Sequence, residues 1–97
     1  MKVTVETTIK NLGFRIMSIA NANGPDVWIE KNGKQYSVEI KSCRKTKRNS
    51  TQVPPVEKNR VNDDFIAIIH PTGYVLFEPM KQHLNNCTPK GYRTLWS

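Results

Sequence analysis

Cysteine, acidic residues and long apolar stretches are what this 97-residue chain has least of. Its two cysteines, Cys43 and Cys87, are too few to read as a disulfide framework, so a reduced, intracellular, cytoplasmic setting is the expectation. No apolar run approaches the ~20 residues of a transmembrane helix, and no membrane partner is expected. The opening Met1-Lys2-Val3-Thr4-Val5-Glu6 lacks the apolar segment of a secretory signal. Hydrophobic residues make up only 37% of the chain, which allows one modest core and hence a single domain over residues 1–97. There is no internal repeat.

The shortage of acidic residues says most about partners. Eight Asp and Glu stand against fifteen Lys and Arg, giving a net charge of +7. Such a balance calls for an anionic partner. Nucleic acid is the natural one, because affinity for it comes largely from neutralising phosphates. Many small soluble proteins are basic too, so charge alone does not separate the two cases.

The sharpest pattern lies between Pro25 and Lys41. Asn32-Gly33 is the strongest short signal for a two-residue type I′ hairpin turn. If that turn forms, Lys31 faces Lys34, Glu30 faces Gln35, Ile29 faces Tyr36, Trp28 faces Ser37, Val27 faces Val38 and Asp26 faces Glu39. Opposed residues share a face with Cβ atoms about 4.5–5.5 Å apart. Asp26 and Glu39 therefore converge, and Lys41, two residues on, joins them on the same face. Val27, Ile29, Tyr36, Val38 and Ile40 fall on the other face and read as core.

Two carboxylates so placed repel unless a cation stands between them. A hard ion with oxygen ligands, Mg²⁺ or Mn²⁺, suits the pair, with the Ile40 backbone carbonyl as a third oxygen. Lys41 would stand beside it, within reach of a phosphate or an attacking water. That constellation fits metal-assisted hydrolysis of a phosphodiester. The bland alternative is the wet face of a surface hairpin, where Asp, Glu and Lys are common.

Pro25-Asp26, twelve intervening residues, then Glu39-Ile40-Lys41 resembles the PD-(D/E)xK nuclease superfamily, most of all its small phage, intron-associated or junction-resolving branches. Glu-x-Lys by itself is a weak pattern. The preceding Pro-Asp, the connecting hairpin and the apolar alternation sharpen it, and the order of elements extends the resemblance over roughly the whole chain. The resemblance implies a restriction-endonuclease-like core, an endonuclease acting on double-stranded or branched DNA, Mg²⁺ held by Asp26 and Glu39, and Lys41 assisting the water or the transition state. It also implies a phage- or mobile-element-encoded origin and a further acidic residue on the first helix, where Glu6 is the candidate. Glu6 stands four residues before Lys10, the spacing of a helix-surface ion pair, and both readings stand. The rival function is a small basic module that binds nucleic acid without cutting it.

Around the motif, Val5, Ile9 and Leu12 recur at helical spacing ahead of Gly13, so residues 3–12 read as a helix despite their β-branched content. Residues 14–19 read as a strand and 26–42 as the hairpin. Residues 43–63 carry Arg44, Lys45, Lys47, Arg48, Lys58 and Arg60 around Pro54-Pro55. They read as a mobile basic loop leading into a short helix, either a clamp on the nucleic-acid backbone or simply a solvated loop. Gln52 is placed with them as a residue that positions substrate. Phe65–Ile69, continuously apolar, reads as a central strand covered on both faces. Residues 74–77 return as a strand, 79–85 form a helix begun by Pro79, and 91–97 have the make-up of a strand that pairs with an edge or a partner chain.

The expected architecture is therefore α/β, with a central mixed sheet of about four to five strands flanked by helices. A zinc site from His83 and Cys87, one helical turn apart, with His70 and Cys43 competes with the oxygen-rich reading. It lacks the tight Cys-x-x-Cys pairs of structural zinc sites. Cutting two strands calls for two sites, hence a homodimer or higher homo-oligomer. Tyr92, Leu95 and Trp96, or Tyr74, Leu76 and Phe77, supply the apolar material for an interface.

Overall fold

Val5 and Ile9, one helical turn apart, are both fully buried, and they set the face that helix α1 (Val3–Asn11) lays on the sheet. The β-branched run is accommodated by Thr8, whose Oγ1 donates back to the Thr4 carbonyl at 2.8 Å. Gly13, at φ 91°, ends the helix in a conformation that side chains resist. Lys31 Nζ then donates to the Leu12 carbonyl at 2.8 Å, a cation at the negative end of the helix. Leu12 itself is 46% exposed, so the apolar stripe is one residue shorter than its spacing suggests. The computed structural model describes residues 3–19, 26–48 and 50–95.

The chain continues through β1 (Arg15–Ile19), β2 (Val27–Lys31) and β3 (Lys34–Ser42). Asn32 at φ 55° and Gly33 at φ 79° make the type I′ turn between the last two. Its register is the one the turn dictates, from Lys31 opposite Lys34 to Val27 opposite Val38. Next come β4 (Arg44–Lys45), β5 (Thr51–Val53), β6 (Phe65–Ile69), β7 (Val75–Pro79), α2 (Met80–Asn85) and β8 (Arg93–Leu95). Five strands form the main sheet in the order β1-β2-β3-β6-β7, with β3 and β6 parallel and the other pairs antiparallel. The fold is thus α/β, with a mixed central sheet and two helices among the described residues.

Both faces of β6 are covered, as its unbroken apolar run requires. On one face Ala67 and Ile69 join Val5, Ile9, Val27, Ile29 and Val38 beneath α1. Phe14, Tyr36, Phe65 and Phe77 close that core, with ring centroids 4.9–5.9 Å apart. On the other face Ile66 and Ile68 pack with Val53 and Met80. Each such side chain contributes about 1.5–3 kcal/mol on burial.

The segment 43–63 departs from its expected form. In place of a loop and a short helix it holds β4 and β5, then a string of turns through residues 58–62. β5 pairs with β4 on one side and β8 on the other, making a second, three-stranded antiparallel sheet. Thr51 and Val53 are buried, and that burial orders a segment whose charge content suggested mobility. The tail strand β8 therefore pairs within its own chain. Phe77 and Leu76, considered as interface residues, pack against the two cores, and Trp96 lies outside the described residues.

Candidate active site

Asp26 precedes β2 by one residue, and the pairing of Val27 with Val38 sets it beside Glu39 on the neighbouring strand. The two carboxylates meet at one donor. The backbone N–H of Ile40 donates to Asp26 Oδ2 at 2.8 Å and to Glu39 Oε1 at 3.2 Å. Within a strand the N–H and C=O of one residue point to the same edge. The Ile40 carbonyl therefore faces the side on which Asp26 stands.

Glu39 is only 6% exposed. Burial pushes its carboxyl up to about 8, and the Asp26 carboxyl beside it adds to the rise. Lys41, two residues along the same face and half-buried, opposes the rise with its ammonium, and Asp63 reinforces it. The structure thus brings together Asp26, Glu39, Ile40 and Lys41.

Asp63 was not singled out from the sequence. It lies in the turn before β6, where Asp63-Asp64 reads as ordinary loop punctuation. Its Oδ2 is buried and without a hydrogen-bond partner among the described residues. Burial raises its carboxyl, Arg60 opposes that rise, and Asp26 adds to it. Its neighbour Asp64 fixes the strand ends: Asp64 Oδ2 accepts from the Ser37 N–H at 2.9 Å, and the Asp64 N–H donates to the Ser37 carbonyl at 3.1 Å. The signal available in the sequence was that this acidic pair directly precedes the strand parallel to the one carrying Glu39.

Glu6 pairs with Lys10. Its Oε1 is 2.8 Å from Lys10 Nζ, and that bond holds its carboxyl below the ordinary value. It is not among the charged groups that act on Glu39. Its observed geometry is that of the helix-surface ion pair.

The basic residues fall into two groups. Arg44 and Lys45 are exposed on β4, Lys47 and Arg48 are exposed on the turn that follows, and Gln52 is half-buried on β5. Lys58 is exposed among the turns of residues 58–62, and Arg60 is near enough to Asp63 to lower its carboxyl. The first group follows directly on the strand that carries Glu39 and Lys41. Of the second, Arg60 acts on the acidic Asp63.

A second polar cluster lies behind the small sheet. Arg93 Nη1 donates to Glu78 Oε1 and lies 3.2 Å from His83 Nδ1. His83 is fully buried, and burial, followed by the Arg93 charge, keeps its imidazole below the ordinary value. Cys87 Sγ is 3.5 Å from His83 Nε2. His70 instead bonds Thr72 Oγ1 at 2.7 Å and stacks on Tyr74. Among the described residues no three His, Cys, Asp or Glu side chains are close enough to hold an ion by themselves. The four residues of the zinc reading therefore do not converge.

No protein-family model matches this chain, and no curated protein matches it. Among solved structures it is similar to a bacterial homing endonuclease, I-Ssp6803I, with a TM-score of 0.76 at 12% identity, over 97% of this chain and 68% of that one. At that identity the likeness is one of fold.

Proposed function

We propose that this chain is a divalent-metal-dependent endonuclease acting on DNA through the PD-(D/E)xK arrangement. The observation that carries the reading is the single Ile40 N–H shared by the carboxylates of Asp26 and Glu39, with Lys41 on the same face. Support comes from the net charge of +7 and from the shared fold with a homing endonuclease.

The donor set suits Mg²⁺ or Mn²⁺. Mg²⁺ is usually held by one or two carboxylates and keeps several waters, so two acidic side chains and one carbonyl suffice. Burial of Glu39 against the half-buried Asp26 carboxylate leaves negative charge that a cation or a proton can offset. Asp26, Glu39 and the Ile40 carbonyl would hold the ion. When bound, such an ion lowers the pKa of a coordinated water and neutralises charge on the phosphate.

Lys41 would lie along the scissile phosphate, orienting the attacking water and offsetting charge in the transition state. Lys45, Lys47, Arg48, Lys58 and Arg60 would hold the flanking backbone, and Arg44 would contact the same nucleic acid. A homodimer or higher homo-oligomer would present one such site to each strand of a duplex or branched substrate.

The test is nicking of supercoiled and branched DNA with Mg²⁺ and with EDTA. Cleavage in Mg²⁺ that EDTA abolishes is expected. Binding without cleavage in either condition would leave a non-catalytic nucleic-acid-binding module.

A further inference from the structure

The small sheet has two unlike faces. Thr51 and Val53 of β5 are buried, and on β8 Leu95 packs against the core that holds Val53 while Arg93 reaches Glu78. Side chains alternate along a strand, so Gln52 and Thr94 point the other way. Arg44 is paired with Gln52 and Gln52 with Thr94, which makes one row across the outer face. Neighbours in such a row are about 4.8 Å apart. The Arg44 guanidinium lies 5.7 Å from the centre of the Tyr92 ring, which steadies its plane. Lys47 and Arg48 stand exposed on the turn at one end.

We propose that the row Arg44–Gln52–Thr94 reads base pairs in the major groove of double-stranded DNA. Its placement beside the cut rests on the endonuclease reading above. The row's residue types are the ones that discriminate between base edges. Arg pairs with the O6 and N7 of guanine, Gln with the N6 and N7 of adenine, and Thr with either. The row crosses three strands whose outer members stand about 9.6 Å apart, within the major groove's width of about 12 Å. Lys47 and Arg48 would take phosphates, which fix register but carry no sequence information. The deep, narrow major groove of duplex RNA would not admit the row.

The row's reach is set by the chain. Arg44 follows Lys41 by three residues, at most about 10 Å of extended strand. Base pairs rise about 3.4 Å each along the duplex. The bases read would therefore lie roughly three steps from the phosphate that is cut.

The test is selection of a randomised DNA duplex library by retention on the purified protein in EDTA, followed by sequencing. Cleavage of the same library in Mg²⁺ is measured in parallel. The wild-type chain should enrich fixed base pairs near the cut. Gln52→Ala should lose roughly 5- to 100-fold discrimination at one position, with under about threefold loss on unselected duplex, since non-specific affinity is carried by phosphate contacts. Gln52→Glu should move the preference at that position toward cytosine, whose N4 amino group donates. Unchanged enrichment in both Gln52→Ala and Arg44→Ala would overturn the proposal. So would cleavage by the wild-type chain with no enrichment, or equal selection from a duplex RNA library. A protein that selects bases without cutting would uphold the row and remove the endonuclease reading instead.

Discussion

Asp26 and Glu39 share one hydrogen-bond donor, the N–H of Ile40, at 2.8 and 3.2 Å. Two carboxylates at one amide are held together by the register of the hairpin, and their mutual repulsion is offset by protonation of Glu39 when no cation is present.

Replacement of either carboxylate or of the lysine should remove cleavage without unfolding the chain. Asp26→Ala, Glu39→Ala and Lys41→Ala are each expected to lower nicking by at least about 100-fold, because water, phosphate and charge must be aligned together. Circular dichroism should be unchanged. Glu39→Ala protein that cuts at the wild-type rate would end the assignment.

Stability without metal should fall as pH rises from about 4.5 toward about 8. The Glu39 carboxyl is raised on folding, so the folded state holds its proton where the unfolded state has lost it. The contribution is complete below the unfolded value and is lost as pH passes through the folded one. Glu39→Gln should flatten this slope in urea titrations run at several pH values. Identical slopes in both proteins would mean that Glu39 is not the group responsible.

Mg²⁺ should reverse that trend. Binding requires the ionised carboxylates, so it releases protons, and its stabilising effect should grow across the same pH window. Calorimetry in two buffers of different ionisation enthalpy would count the protons. Absence of Mg²⁺ or Mn²⁺ binding, even with DNA present, would remove the metal from the proposal.

Neutralising Arg44, Lys45, Lys47 and Arg48 together should weaken DNA binding broadly. The slope of log affinity against log salt should shrink by up to about 2.7, at ~0.9 for each phosphate neutralised by Lys45, Lys47 and Arg48. Cleavage at saturating DNA should suffer less. An unaltered slope would show that these three do not touch the backbone.

Arg93→Ala should cost about 3–5 kcal/mol, because it leaves Glu78 buried and unpaired. Denaturant unfolding would measure the loss. A cost below about 1 kcal/mol, the range of an exposed pair, would show that the Arg93–Glu78 pair is not buried in solution.

The hairpin was legible because its information is local. Asn32-Gly33 fixes the turn, the turn fixes the register, and the register sets Asp26 beside Glu39. The strand Phe65–Ile69 was legible for a related reason, since an unbroken apolar run must be covered on both faces. The stretch from Arg44 to Arg60 was not. Its strand β5 is three residues long, and its partner β8 is distant in sequence. The alternation of Thr51, Gln52 and Val53 is too short to stand out against the surrounding charge. Asp63 was missed because an acidic pair before a strand looks like any turn, and its burial depends on residues brought in by the crossover. Leu12 shows the opposite failure: its spacing matched the core stripe, but the helix ends before the sheet reaches it.

The pairing of Gln52 with Thr94 also sets an order of events during synthesis. A chain made at about 5–20 residues per second exposes β5 for some seconds before its partner emerges. The register of Asp26, Glu39 and Lys41 is set by the hairpin's own turn, and β6, which pairs with β3, is also made before β8. The three-stranded face waits for the last strand. A partly made chain would thus carry its carboxylate pair before it has the surface proposed to select where that pair is applied.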